Sequence, residues 1–103
     1  MEINRSFSFQ YFENIIFIKK ILEKLNIPCI SNAVYDGAQL RFPWCEGDVV
    51  CHSGSYGNKQ GQVETYQFPW DEGDVSVMTP QEACRKIAGY YEDFLKKTID
   101  ECV

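Results

Sequence analysis

The chain has a single histidine, no Cys-x-x-Cys unit and ten basic residues against fifteen acidic ones, and each shortage removes a class of function. A zinc site at ordinary ligand spacing has neither its second histidine nor a paired thiolate. A nucleic-acid backbone is gripped by clustered lysine and arginine, so direct binding to DNA or RNA is not expected. No run approaches the ~18 apolar residues of a membrane helix. The stretch Ile15 to Ile18 is soon interrupted by Lys19-Lys20, and Met1-Glu2-Ile3-Asn4-Arg5 lacks the basic-then-apolar order of a secretion signal. No membrane contact is therefore expected, and a cytoplasmic location is. There the five cysteines (Cys29, Cys45, Cys51, Cys84, Cys102) would be reduced thiols, and their odd number and uneven spacing argue against a disulfide framework. The turn Gly54-Ser55-Tyr56-Gly57 lacks the lysine and following helix of a phosphate-binding loop.

The chain does contain a repeat. Phe42-Pro43-Trp44-Cys45-Glu46-Gly47-Asp48-Val49 returns as Phe68-Pro69-Trp70-Asp71-Glu72-Gly73-Asp74-Val75, identical at seven of eight positions. Apolar content of 45% and aromatic content of 15% suit a folded protein, and 103 residues suit one domain. The net charge of −5 is uneven: residues 29–78 hold seven acids against Arg41 and Lys59, so this segment alone accounts for it. A basic protein surface or a cation is the partner such a charge favours.

Apolar spacing at Phe9, Phe12, Ile15, Ile16, Leu22 and Leu25 predicts a core-packing helix over 8–26, with Ser6 or Ser8 as its cap. Thr79-Pro80-Gln81-Glu82 reads as a helix start, and Ala83, Ile87, Tyr90 or Tyr91, Phe94, Leu95 and Ile99 carry a second helix over 80–99. Between them the period changes to two. Cys29–Tyr35 and Ala38–Phe42 flank an Asp36-Gly37 hairpin turn; Val49–Ser53, Gln62–Phe68 and Val75–Met78 are further strands. The expected fold is α+β, a two-layer sandwich: N-terminal helix, antiparallel meander of four to five strands, C-terminal helix. The face away from the helices would carry Gln39, Arg41, His52 and Thr65.

In a meander, the strands before the two repeated loops run in the same direction, so both loops emerge at one end, their stems about 10 Å apart. That rim should display Trp44, Glu46, Asp48, Trp70, Asp71, Glu72 and Asp74 together as a partner-binding site. Tryptophan beside carboxylate suits a docking surface, where a rigid aromatic anchors and acids pair with lysine or arginine. Asp-Glu-Gly-Asp lacks the alternating ligands of a calcium loop, so no metal or cofactor is expected.

An alternative reading is an enzyme or metal protein built on Cys51, His52 and Cys45. Neighbours on a strand point to opposite faces, however, so Cys51 and His52 cannot form a dyad there. A third reading is a homo-oligomeric structural protein joined through the open sheet face. The order helix–meander–helix is similar to the double-stranded-RNA-binding domain, whose basic residues are absent here. In size, acidity and layout the chain looks like the small inhibitors that phages and mobile elements make against host defence, anti-CRISPR proteins included. That resemblance implies a non-enzymatic inhibitor of a nucleic-acid-handling protein.

Overall fold

In a computed structural model, which describes residues 2–102 and side chains of residues 9–102, two helices pack on one face of a five-stranded antiparallel sheet. Helix α1 (Glu2–Lys24) leads into strands β1 (Ile30–Val34), β2 (Gly37–Arg41), β3 (Asp48–Cys51), β4 (Val63–Tyr66) and β5 (Val75–Met78), and helix α2 (Pro80–Cys102) closes the chain. The sheet order is β1-β2-β3-β4-β5, so every neighbour in space is a neighbour in sequence and the expected meander is present.

Helix α1 starts at Glu2, which places Ser6 and Ser8 inside it rather than at its cap. It ends two residues before the expected boundary. Asn26 takes a left-handed conformation (φ 59°), its N–H donates to the carbonyl of Glu23, and the N–H of Ile27 donates to that of Leu22. This pair of bonds satisfies the last orphan carbonyls, and buried Ile27 folds back towards buried Leu22. At the other helix, the N–H of Glu82 donates to the Thr79 hydroxyl at 3.2 Å, the expected cap; α2 then runs on to Cys102.

The core face of α1 is Tyr11, Ile15, Ile18 and Leu22, not the expected set. Only Ile15 and Leu22 were shared. Phe9, Phe12, Ile16 and Leu25 lie on the exposed flank, because α1 carries two apolar stripes and a count of apolar spacing merges them. On α2, Ala83, Cys84 and Ile87 are buried, whereas Leu95 and Ile99 are exposed.

The first hairpin turns one residue earlier than expected. Val34 pairs with Gly37, so Tyr35-Asp36 form the turn, with Tyr35 left-handed (φ 53°). Gly37 serves another purpose: a Cβ there would stand 1.9 Å from the Cys51 carbonyl oxygen, so the position admits only glycine. Strand β3 starts one residue before and ends two residues before the expected bounds, β4 is shorter at both ends, and residues 58–60 make a short 3-10 turn inside the Gly54–Gly61 loop. Inward positions Ala38, Leu40, Val49, Cys51, Val63, Thr65 and Met78 meet the helices. Thr65 therefore belongs to the core side, against expectation. The outward face carries Ile30, Asn32, Gln39, Arg41, Asp48, Val50, Glu64, Tyr66 and Val77, and no helix among the described residues covers it.

Candidate functional site

The repeated loops do lie side by side. Phe42 and Phe68 meet with ring centroids 5.8 Å apart, edge to face. Gly47 sits against the Phe68 ring, where a Cβ would fall 2.4 Å from its carbons. The first loop thus presses its glycine onto the aromatic of the second, and no side chain could intervene.

Both tryptophans face inward. Trp44 packs against Phe42, Tyr90, Tyr91 and Phe94, and its indole N–H donates to the Pro28 carbonyl at 2.9 Å. Trp70 stacks on Phe68 at 4.4 Å, with the Lys86 ammonium 5.4 Å from its ring, and its indole N–H donates to the Thr65 hydroxyl at 3.0 Å. Each is half-buried with its one donor satisfied, so they seal the end of the core between sheet and α2.

The acids divide into three kinds. Asp71 is only 4% exposed. One carboxyl oxygen accepts from the Thr65 hydroxyl at 2.8 Å and the other from the Phe68 N–H at 3.1 Å. It ties its loop together from inside and presents no charge to a partner. Asp48 is half-buried at the edge of the open face, where it accepts from the Gln39 side-chain amide at 3.0 Å. Burial pushes its carboxyl above the ordinary value, and the Gln39 bond and the field of Arg41 only partly offset this. Glu46, Glu72 and Asp74 are exposed. Asp74 accepts from the neighbouring Val75 N–H. Among the described residues the only ion pair is Glu92–Lys96 on α2, so no basic side chain is paired with any of the three.

The sulfur and histidine groups are dispersed in function. Cys51 is fully buried; its sulfur lies 3.7 Å from the Asn14 amide and 3.7 Å from the Gln62 carbonyl. His52 accepts the Gly54 N–H at its Nδ1 and packs beside Tyr35, ring centroids 5.0 Å apart. Burial raises the thiol pKa of Cys29, Cys45 and Cys51, and raises that of Cys84 to about 11. A nucleophilic cysteine needs the opposite shift. Among the described residues no three histidine, cysteine or acidic side chains gather closely enough to hold a metal ion.

Tyr66 is the residue that the expected site lacked. It ends β4 on the open face, directly opposite Asp48, and is exposed beside the rim. Its signal was the alternation of β4: once Thr65 points inward, Tyr66 must point out. No family model matches this chain, and neither curated proteins nor solved structures give a match.

Proposed function

We propose that this protein is a non-enzymatic binding module whose rim docks a basic surface on another protein. Glu46, Glu72 and Asp74 are the charge partners, and Tyr66, beside them on the open face, is the aromatic anchor. Trp44 and Trp70 act as buttresses that hold the two loops in register. What supports this reading is that two loops pressed together at Gly47 and Phe68 each carry exposed carboxylates, Glu46 on one and Glu72 and Asp74 on the other, with no ion pair to any of them among the described residues. Exposed carboxylates without basic neighbours favour a cationic partner. A protein surface built to hold nucleic acid is strongly basic, which suits an inhibitor of the kind phages and mobile elements produce. The raised thiols and the engaged His52 weigh against the enzyme alternative.

The test is a triple variant, Glu46→Gln, Glu72→Gln and Asp74→Asn, compared with wild type for capture of proteins from host extract at low and high salt. Wild type should retain a basic protein at low salt and release it at about 0.5 M, where screening is nearly complete beyond a few ångström. The triple variant should not retain it. An identical captured set for both forms would refute the rim as the docking site.

A further inference from the structure

The opposite edge of the sheet carries a second surface. Strand β1 bonds only to β2, so every other N–H and C=O along its outer edge points away from the sheet. Natural edges are blunted by charge, proline or a bulge. Ile30-Ser31-Asn32-Ala33-Val34 has none of these, and its five residues pair with β2 without interruption.

The helix above it is unfinished in the same place. Helix α1 lies over β2 and β3, leaving Ser31 and Ala33, the inward-facing residues of β1, exposed beside it. Phe12 and Ile16 lean over this step and line a groove with Lys19, Ser31, Asn32, Ala33 and Ala38, and at its end the Lys19 ammonium donates to the Ser31 hydroxyl at 3.1 Å. Ile16 is 45% exposed, Ile30 is 54% exposed and Phe9, further along the flank, is 66% exposed. Apolar helix flank and bare strand edge form one continuous surface.

We infer that a second copy of this chain occupies it, pairing β1 with β1 antiparallel about a two-fold axis through Asn32. The residues are self-complementary in that register. Ile30 of each copy faces Val34 of the other on the open side, and Ser31 faces Ala33 on the helix side. The axis lies half an inter-strand step, about 2.4 Å, beyond β1. Phe12 and Ile16 already reach across to β1, so their counterparts meet above the axis, and small Ser31 and Ala33 leave them room. The groove is lined by Asn32 and by residues from the middle of α1, so one axis serves both layers. The net charge agrees as well. Ile30 pairs with Arg41, which precedes the acidic rim, so antiparallel pairing sends the two rims to opposite ends of a ten-stranded sheet. A contact of this kind is closed and leaves no β1 edge for further growth.

Light scattering of the full chain at high micromolar concentration tests this, with hydrogen exchange alongside. Wild type should weigh twice the 11.9 kDa chain, with the β1 amides protected. Asn32→Lys, which sets two lysines against each other on the axis, should halve the mass and expose those amides while the far-UV spectrum stays unchanged. Phe12→Lys with Ile16→Lys, both at exposed positions, should do the same. Tyr66→Lys on the open face should remain a dimer. A monomeric wild type, or a dimer that survives Asn32→Lys, would overturn the inference.

Discussion

Replacing Asp71 with alanine tests whether the second repeat is held from inside. The carboxyl is buried and receives two donors, the Thr65 hydroxyl and the Phe68 N–H. Its loss strands both, and an unsatisfied buried donor costs about 1–3 kcal/mol. Thr65 can turn its hydroxyl only within limits, because its oxygen also accepts from the Trp70 indole. The expected penalty is about 3 kcal/mol, a large part of the ~5–15 kcal/mol that holds a domain together. At ~4–8 °C per kcal/mol for a chain of this size, the melting temperature should fall by about 12–24 °C. Cys45 occupies the equivalent place in the first repeat and is half-buried, so Cys45→Ala should cost about 1 kcal/mol or less. Asp71→Asn keeps one acceptor and should fall between them. Urea unfolding followed by tryptophan fluorescence reads both loops directly, since Trp44 and Trp70 sit in them, and an unchanged slope would show that compactness is preserved. If Asp71→Ala proved no more harmful than Cys45→Ala, the internal role would be refuted and Asp71 would return to the rim as a free charge.

Other outcomes follow from single residues. The Asp48 carboxyl is raised by burial, so its contribution to stability is present below the ordinary carboxylate value and lost as pH rises through the folded one. Asp48→Asn, still able to accept from Gln39, should therefore melt higher than wild type at pH 7, with the gain vanishing near pH 4; a gain independent of pH would refute the cause. Gly89 lies inside α2 with open space where a Cβ would go, so Gly89→Ala should stabilise by about 1 kcal/mol. Gly37→Ala should fail to fold, because the Cys51 carbonyl cannot move without breaking β2 from β3. A thiol reagent at pH 8 should label exposed Cys102 at once and Cys51 and Cys84 only on unfolding. Rapid labelling of Cys51 would revive the enzyme reading.

Much of this architecture was legible because local signals and global fold agree. Thr79-Pro80 capped a helix as such pairs do, and the alternation in 38–42 placed Leu40 inward and Arg41 outward. Where reading failed, two physical demands shared one residue. Gly37 resembles the second residue of a tight turn, but it is glycine because strand β3 passes too close for a side chain. Phe9, Phe12 and Ile16 resemble core, but a helix with two apolar stripes does not declare which one its own sheet will cover. Nothing in the sequence around Asn26 beyond the residue itself announced the left-handed stop of α1, since the Pro28 beyond it offered a more visible terminator.

The two repeats show how far identity of sequence can be carried into identity of role. Each supplies an aromatic to the core, a tryptophan to the seam with α2, and an exposed glutamate just before its glycine. They part where they differ, at Cys45 and Asp71. With a carboxyl at that position, the second loop can receive its own Phe68 N–H and the Thr65 hydroxyl, and it curls into a 3-10 turn over Pro69–Asp71 with Glu72 left-handed after it. A thiol there is a weaker acceptor, facing the Gly47 N–H, and Gly47 lies against the Phe68 ring. One difference in sequence thus gives the two loops different internal ties. Exposed Glu72 follows that turn directly in a left-handed conformation, so the buried carboxyl behind it helps to set where this acid stands.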